Sequence, residues 1–253
     1  MILMVPLMIE TFAKKLEDVK DLPEKVVKEA VFGSQFHTIC SGGAYLNPDY
    51  IELFERFGIQ ILQGYGMTEC SPVISTTVAW NVKKNSVGQL LPNCEAKTVD
   101  GELWVRGSSV MQGYYKMPEE TKTALKDGWL CTGDLGYVDE ERFIYLTGRK
   151  KNLIITKNGE NVSPEELENK LSSSRLVQEV LVREAKGVIE AEIYPDEEYA
   201  KKQGLEREEE VRVELQKLID EYNQGAPAYK KIYSLIIREK EFEKTASRKI
   251  KRY

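Results

Sequence analysis

Hydrophobic and polar positions follow two different periods over the first 95 residues. Apolar runs at positions 36–40 and 59–63 are typical of buried strands. Between them, positions 48–57 carry apolar residues at helical spacing, which predicts an amphipathic helix. The apolar start, 1–8, predicts a core strand that continues something upstream and leads into a helix at about 9–19. A strand, a helix and a second strand in succession predict part of a parallel sheet.

The pattern changes between about residue 87 and residue 148. Short apolar runs, such as those at 103–105 and 143–146, are interrupted by glycine and aspartate. This pattern predicts a small, mainly antiparallel β-unit.

The last hundred residues predict a separate α+β module. After a polar joint at 149–152, a hairpin is expected, with a strand at 153–155 and a return through Asn158 and Gly159. A helix follows from Ser163, where a capping serine, a proline in the first turn and a glutamate three residues on mark a helix start. The other predicted elements are a strand, a second strand, a charged helix and a last strand, at 177–182, 188–194, about 206–221 and 233–237.

These patterns together predict an α/β fold followed by an α+β fold, with the boundary near Lys150. The first domain is expected to span residues 1–149, as an α/β part over about 1–95 and a β-barrel-like part over 96–149. The second domain is expected to span residues 150–253.

Composition narrows the class of protein. The 253 residues are 42% hydrophobic, which permits a sizeable core, and the net charge of −5 argues against a general binder of nucleic acids or membrane surfaces. Four cysteines match no zinc or redox spacing and predict free thiols in a reducing cytoplasm. The single histidine, His37, excludes a two-histidine metal site and is expected to be structural, in a buried strand. The sequence contains no signal peptide pattern and no apolar run long enough for a membrane span.

One glycine-rich segment suggests a ligand site. Gly64 to Glu69 follow a predicted buried strand, where glycines allow the backbone to turn and to approach a ligand closely. Tyr65 could stack on a base, Thr68 could bond a phosphate oxygen, and Glu69 could hold Mg²⁺. From these residues alone, an ordinary glycine-rich turn is the favoured alternative, because glycine–aromatic–glycine turns are common.

Three other features carry candidate chemistry, each with a simpler alternative. Asp134 is predicted to lie on a tight turn after an apolar run, where it could bind a ribose diol or merely close an Asx turn. Arg149 could add a cation to the same ligand or form a surface salt bridge. The basic stretch at 244–252 is, by itself, most simply a solvated tail.

Eight short motifs follow one another along the chain. They are SGGA at 41–44, QGYGMTE at 63–69, GELWVRG at 101–107, MQGYY at 111–115, GWLCTGDL at 128–135, GRKK at 148–151, NGENVSPEELE at 158–168 and a basic tail at 245–252. Their order and spacing resemble the adenylate-forming superfamily, which includes acyl-CoA synthetases, firefly luciferase and the adenylation domains of peptide synthetases. The wording of the second and seventh motifs is most similar to that of the long-chain fatty acyl-CoA synthetases.

The resemblance implies the last part of a large AMP-binding domain followed by a small mobile domain, with ATP or AMP, Mg²⁺ and coenzyme A as ligands. It also implies a carboxylic acid substrate, a fatty acid by the closest wording. The residues expected to line the acyl and adenine pockets, or otherwise to bind nucleotide, are Gly42, Gly43, Ala44, Gly64, Gly66 and Met67.

The resemblance further assigns individual roles. Tyr65 would stack on adenine, Thr68 would contact the α-phosphate, and Glu69 would bind Mg²⁺. Asp134 and Arg149 would bind the ribose hydroxyls.

In the small domain the resemblance assigns three more roles. Lys151 would be the hinge about which this domain rotates between two half-reactions. Gly159 would reach the pantetheine tunnel in the second of them. Lys249 would bridge the carboxylate and the α-phosphate during adenylation.

The sequence departs from the family pattern in two places. Arg248 stands where the family usually has glycine before the catalytic lysine. Residues 1–40 contain nothing like the family's Ser/Thr/Gly-rich phosphate loop, so we expect a truncated chain, inactive alone, whose missing N-terminal half supplies that loop. The alternatives are an adenylating enzyme that loads a carrier protein and a non-catalytic ligase fragment.

Overall fold

A computed structural model describes residues 1–19, 21–245 and 250–252. The chain forms two compact units, Met1–Leu146 and Thr147–Tyr253. Each unit has its own hydrophobic core, as the mixture of α/β and α+β patterns predicts.

The first unit begins with a five-stranded sheet in the order β1-β2-β3-β4-β5. Strands β1, β2 and β3 are parallel, which confirms the predicted parallel sheet, and β4 and β5 continue it in antiparallel pairing. The strands are β1 Ile2–Met4, β2 Thr38–Gly42, β3 Gln60–Gly66, β4 Val73–Thr76 and β5 Gln89–Leu90. Its helices are α1 Pro6–Glu17, α2 Glu24–Val31 and α3 Pro48–Arg56.

Helix α3 shows why this layer folds as the hydrophobic pattern predicts. Asn47 caps it by accepting a 2.9 Å hydrogen bond from the backbone N–H of Asp49, and Pro48 occupies the first turn. Leu53 and Phe54 are buried in the core beneath the sheet. The predicted amphipathic helix at 48–57 is therefore confirmed to within one residue.

Predictions for the first forty residues are confirmed in part. The strand β1 and the helix α1 are both present, but Ile2 and Leu3 are exposed and α1 begins at Pro6 rather than near residue 9. His37 is exposed and precedes β2 rather than lying in a buried strand, with its Nδ1 atom 3.5 Å from the Lys28 ammonium.

The remainder of the first unit is the predicted antiparallel β-unit. Its strand order is β10-β9-β7-β6, with β8 beside β9. The strands are β6 Cys94–Val99, β7 Glu102–Gly107, β8 Leu125–Lys126, β9 Trp129–Val138 and β10 Ile144–Arg149, of which β10 continues into the second unit. A short helix that the sequence pattern does not predict, α4 Pro118–Ala124, precedes β8.

The second unit is an α+β module. A hairpin of β11 Ile154–Ile155 and β12 Asn161–Val162 leads into α5 Pro164–Leu171, as predicted. A three-stranded sheet follows, in which β13 and β14 are antiparallel and β14 and β15 parallel. The remaining elements are β13 Val177–Ala185, β14 Val188–Pro195, α6 Glu197–Lys202, α7 Glu208–Gly225 and β15 Ile232–Ile237.

The predicted capping of α5 is correct in position and wrong in chemistry. Ser163 is the N-cap residue and Pro164 follows it, but the serine side chain accepts no bond from the helix backbone. Its hydroxyl instead donates a 2.9 Å hydrogen bond to Glu165 Oε2. A nearby carboxylate is a stronger acceptor than the alternatives open to this hydroxyl.

No helix in the described part of the chain is long and apolar enough to cross a membrane.

Candidate nucleotide site

The glycines at the ends of β2 and β3 bring two backbones unusually close. Gly42 pairs with Gly64, and a Cβ atom at position 42 would lie 2.7 Å from the Gly64 carbonyl oxygen, so no larger residue fits without a shift. Gly43 and Ala44 follow β2 directly. The strand predicted at 59–63 ends later than expected, since β3 continues to Gly66 and pairs there with β4.

The turn comes after Gly66 and has no room for a side chain. A Cβ atom on Gly66 would lie 1.9 Å from the Pro72 carbonyl oxygen, which also accepts a 2.7 Å bond from the Met67 N–H. The chain then forms a short 3₁₀ turn that includes Thr68 and Glu69. Thr68 is exposed and Glu69 is half-buried, so both can meet a ligand beyond the end of β3.

Tyr65 and Asp134 are joined although 69 residues separate them. The Tyr65 hydroxyl donates a 2.7 Å hydrogen bond to Asp134 Oδ2. Only 8% of Tyr65 and 5% of Asp134 is exposed, so the bond holds a buried carboxylate and fixes the tyrosine ring. The predicted stacking on adenine and binding of ribose remain predictions.

Asp134 lies within β9 rather than on a tight turn, so that prediction is wrong. The pairing of β9 with β7 shifts register next to it, and Gly133 takes a left-handed φ of 71° in this bulge. Glu102 accepts a 2.9 Å bond from the Gly133 N–H, and the Thr132 hydroxyl accepts a 3.1 Å bond from the Asp134 N–H. Because of these bonds, the Asp134 side chain departs from the regular alternation of side chains along β9.

Glu69 is held from both its side chain and its backbone. The Tyr114 hydroxyl donates a 2.8 Å hydrogen bond to Glu69 Oε1, and the Met111 N–H donates a 2.8 Å bond to the Glu69 carbonyl. The hydrogen bond to this carboxylate raises the pKa of Tyr114, with burial adding to the shift. Sequence reasoning identified the MQGYY motif but gave no role to Tyr114, because a partner 45 residues away leaves no local signal.

Mg²⁺ fits Glu69 only as part of a shared site. Among the described residues no three carboxylate, histidine or cysteine side chains gather to hold a metal. Mg²⁺ commonly binds one or two carboxylates and takes its other ligands from phosphates and water. A single oriented carboxylate therefore fits a metal that arrives with a nucleotide.

The cysteines near this segment are free and inert. None of the four cysteines, all within the described residues, forms a disulfide, and Cys70 and Cys94 are fully buried. Burial raises the pKa of the Cys70 thiol to about 12, with smaller contributions from Cys94 and Glu69. The thiol next to Glu69 therefore stays neutral and is a poor nucleophile.

The predicted site residues of the second unit occupy exposed positions. Arg149 is the last residue of β10, and Lys151 lies in a 3₁₀ turn. Gly159 is in the hairpin turn with a φ of 81°, and open space surrounds the position of its missing side chain. Lys249 and Arg248 lie outside the described residues.

The residues on either side of 246–249 do not behave as a solvated tail. Lys244 forms an antiparallel bridge with Ile250, and its ammonium pairs with Glu179 of β13. Arg252 pairs with Glu168 and lies 3.5 Å from Glu165. Burial raises the pKa of Glu168, although the Arg252 charge opposes that shift.

Comparison with known proteins assigns the chain to a family. The family model for AMP-binding enzymes matches residues 1–115, and the model for the C-terminal domain of AMP-binding enzymes matches residues 151–253. The chain belongs to the AMP-binding enzyme family. The resemblance inferred from the motifs is thereby confirmed.

Relatives of this AMP-binding enzyme differ in the acid they are named for. A long-chain-fatty-acid–CoA ligase from Mycobacterium bovis is 39% identical over 171 residues, which are 67% of this chain and 28% of that protein. A 4-coumarate–CoA ligase-like protein from Oryza sativa subsp. japonica is 41% identical over 165 residues, covering 58% of this chain and 30% of that protein. The chain thus spans about a third or less of the length of the curated relatives it matches here.

A solved structure confirms the fold of this AMP-binding enzyme. The o-succinylbenzoate-CoA synthetase of Bacillus subtilis, solved with an acyl-adenylate intermediate, matches with a TM-score of 0.76 and 27% identity. The match covers 98% of this chain and 49% of that one. The predicted α/β and α+β classes are therefore those of an adenylate-forming enzyme.

Proposed function

We propose that this chain is part of an ATP-dependent, AMP-forming acyl-CoA synthetase that acts on a fatty acid. In the first half-reaction, a carboxylate oxygen attacks the α-phosphorus of ATP, which forms an acyl-adenylate and releases pyrophosphate. In the second, the thiolate of coenzyme A attacks the acyl carbonyl. A carbon–sulfur bond forms, the carbon–oxygen bond to the phosphate breaks, and AMP leaves.

The observation that carries this proposal is the buried bond between Tyr65 and Asp134 beside the close approach of Gly42 and Gly64. The bond joins two motifs to which the proposal gives neighbouring parts of one adenosine. An ionised carboxylate can accept several hydrogen bonds, so Asp134 can bind ribose hydroxyls while Tyr65 holds it. The glycines keep side chains away from the same backbone edge.

The phosphate end of the nucleotide is assigned to the turn after β3. The Thr68 hydroxyl would bond the α-phosphate, with the backbone at Gly66 and Met67 lying alongside. Glu69 would bind Mg²⁺, which neutralises phosphate charge when bound. The exposure of Thr68 and the fixed carboxylate of Glu69 support this assignment.

The second unit would supply the groups that differ between the half-reactions. Lys249 would stabilise charge on the carboxylate and the α-phosphate during adenylation. Rotation about Lys151 would then bring Gly159 towards pantetheine, where the open hairpin turn leaves space for the thiol. Arg149 would assist Asp134 at the ribose.

The whole protein would supply the phosphate loop and most of the acid pocket, which these residues lack. The assignment of a fatty acid rests on the long-chain ligase relatives and on the motif wording. The four cysteines, none of which is in a disulfide, support a reducing cytoplasm as its location.

The test is product analysis with the full-length protein. With ATP labelled at the α-phosphate, Mg²⁺, palmitate and coenzyme A, we expect labelled AMP, pyrophosphate and a thioester. Labelled ADP would contradict the proposed chemistry. Turnover only with 4-coumarate in place of palmitate would contradict the acid, and thioester only on a phosphopantetheinyl carrier would contradict the acceptor.

A further inference from the structure

A loop between β7 and α4 reaches back to the turn that carries Glu69. Two bonds make the connection, one from the Tyr114 hydroxyl to the Glu69 carboxylate and one from the Met111 N–H to the Glu69 carbonyl, both of 2.8 Å. The side chain and the backbone of one residue are thus fixed by one loop. Such double attachment defines both the position and the direction of the carboxylate.

The loop is itself held by α4. The Thr121 hydroxyl accepts a 2.9 Å bond from the Tyr114 N–H and donates a 2.7 Å bond to the Met117 carbonyl. A Cβ atom on Gly113 would lie 2.8 Å from the Thr121 methyl group, so the chain before the tyrosine packs directly on the helix. These contacts with α4 therefore fix the direction in which the Tyr114 side chain extends, which is towards Glu69.

This arrangement matters chemically if Glu69 binds a metal. A carboxylate has two oxygens, and a hydroxyl that occupies Oε1 orients Oε2 and limits rotation of the group. Hydrogen-bond partners that orient metal ligands commonly change metal affinity by about 10–100-fold when removed. Tyr114 gives this carboxylate a partner that does not itself touch the metal.

We propose that Tyr114 is a positioning residue that orients the Glu69 carboxylate towards Mg²⁺ bound with ATP. The proposal rests on the proposed function, since the metal would arrive with the nucleotide. It adds a residue that supports the metal ligand, and it gives α4 a purpose beyond connecting two strands.

The chain offers a matched pair of variants. Tyr114→Phe removes the hydroxyl that contacts Glu69, whereas Tyr115→Phe removes the hydroxyl of its neighbour, which is 85% exposed. ATP binding to the full-length protein is measured by calorimetry with Mg²⁺ and again with EDTA. We expect Tyr114→Phe to weaken binding about 10–100-fold with Mg²⁺ and less than about twofold in EDTA. Tyr115→Phe should match the wild type in both.

Two further variants keep the test decisive. Thr121→Val, which removes the hydroxyl beneath the Tyr114 N–H, should give a smaller loss in the same direction. Glu69→Gln separates the two proposals. If Glu69→Gln abolishes the Mg²⁺ dependence and Tyr114→Phe leaves it unchanged, the positioning role is wrong. If Glu69→Gln also leaves it unchanged, the metal role of Glu69 in the proposed function is wrong, and the positioning role with it.

Discussion

Replacing Gly66 by alanine tests whether the turn after β3 can accommodate a side chain at this position. The added Cβ atom would lie 1.9 Å from the Pro72 carbonyl oxygen and 2.9 Å from the Val73 Cα atom. Both contacts are with backbone, so no side chain can rotate away to relieve them. Gly64 is the matched control, because a Cβ atom there would meet the Ser75 carbonyl oxygen at an ordinary 3.7 Å.

The size of the effect follows from these contacts. A carbon and a carbonyl oxygen rarely approach closer than about 3.3 Å, so the strand and the turn must separate by about 1.4 Å. Overpacking with backbone movement costs about 1–3 kcal/mol, and weakening the bond from the Met67 N–H to Pro72 costs about 0.5–1.5 kcal/mol more. We expect Gly66→Ala to lower the free energy of unfolding by about 1.5–4.5 kcal/mol, the sum of the two. Gly64→Ala should change it by less than about 1 kcal/mol, since replacing a strand glycine can be stabilising.

Urea unfolding followed by tryptophan fluorescence measures this difference in the 253-residue chain. The three tryptophans, Trp80, Trp104 and Trp129, all lie in the first unit, so the signal reports that unit. Equal free energies for the two variants, within about 0.5 kcal/mol, would refute the reasoning. In the full-length protein, Gly66→Ala should also weaken ATP binding, because Thr68 and Glu69 follow the displaced backbone directly.

Further predictions address the half-reactions, the thiols and the isolated chain. In the full-length protein, Lys249→Ala should slow adenylate formation at least about a hundredfold. Thioester formation from a supplied acyl-adenylate should stay within a few-fold of the wild-type rate. Equal slowing of both steps would contradict the role of Lys249. Gly159→Leu should slow only the thioester step, far more than Gly159→Ala, which shares the backbone strain at a φ of 81° but little of the bulk. If alanine slows that step as much as leucine, strain rather than obstruction is responsible. Cys70 and Cys94 should react with a maleimide only after unfolding, later than Cys40 by peptide mass spectrometry, and early labelling of Cys70 would contradict its burial. The 253-residue chain alone should release no pyrophosphate from ATP and palmitate above a buffer blank, since residues 1–40 hold no phosphate loop, and clear release would overturn that expectation.

Local pattern determined the larger elements of this protein. The amphipathic helix α3, the parallel pair β2 and β3, the hairpin before α5 and the antiparallel unit around β9 all follow from periodicity and turn residues. Helices α2, α4 and α6, of six to eight residues, are not predicted, whereas the equally short α5 is predicted from the serine and proline at its start. Helices this short are marginal alone and depend on packing that the sequence does not display.

Motif order determined the family and the list of candidate residues. It did so because members of the AMP-binding enzyme family share the same residue types at the same spacings. The roles of Tyr65, Asp134 and Arg149 come from that order and stay predictions. Those of Glu69 and Lys249 come from it too, and the Glu69→Gln and Lys249→Ala variants test them.

Only the tertiary structure decided how the candidate residues are held. Gly64 and Gly66 lie in β3, beyond the strand end predicted at residue 63, because pairing with β4 outweighs their local preference. Asp134 leaves the regular strand at a bulge supported by Glu102. The bond from Tyr65 to Asp134 joins residues that are 69 positions apart in the sequence, and the bond from Tyr114 to Glu69 joins residues that are 45 positions apart. A hydrogen bond depends on two atoms meeting within about 3 Å, and the path of the folded chain, rather than the residue types, determines which atoms meet.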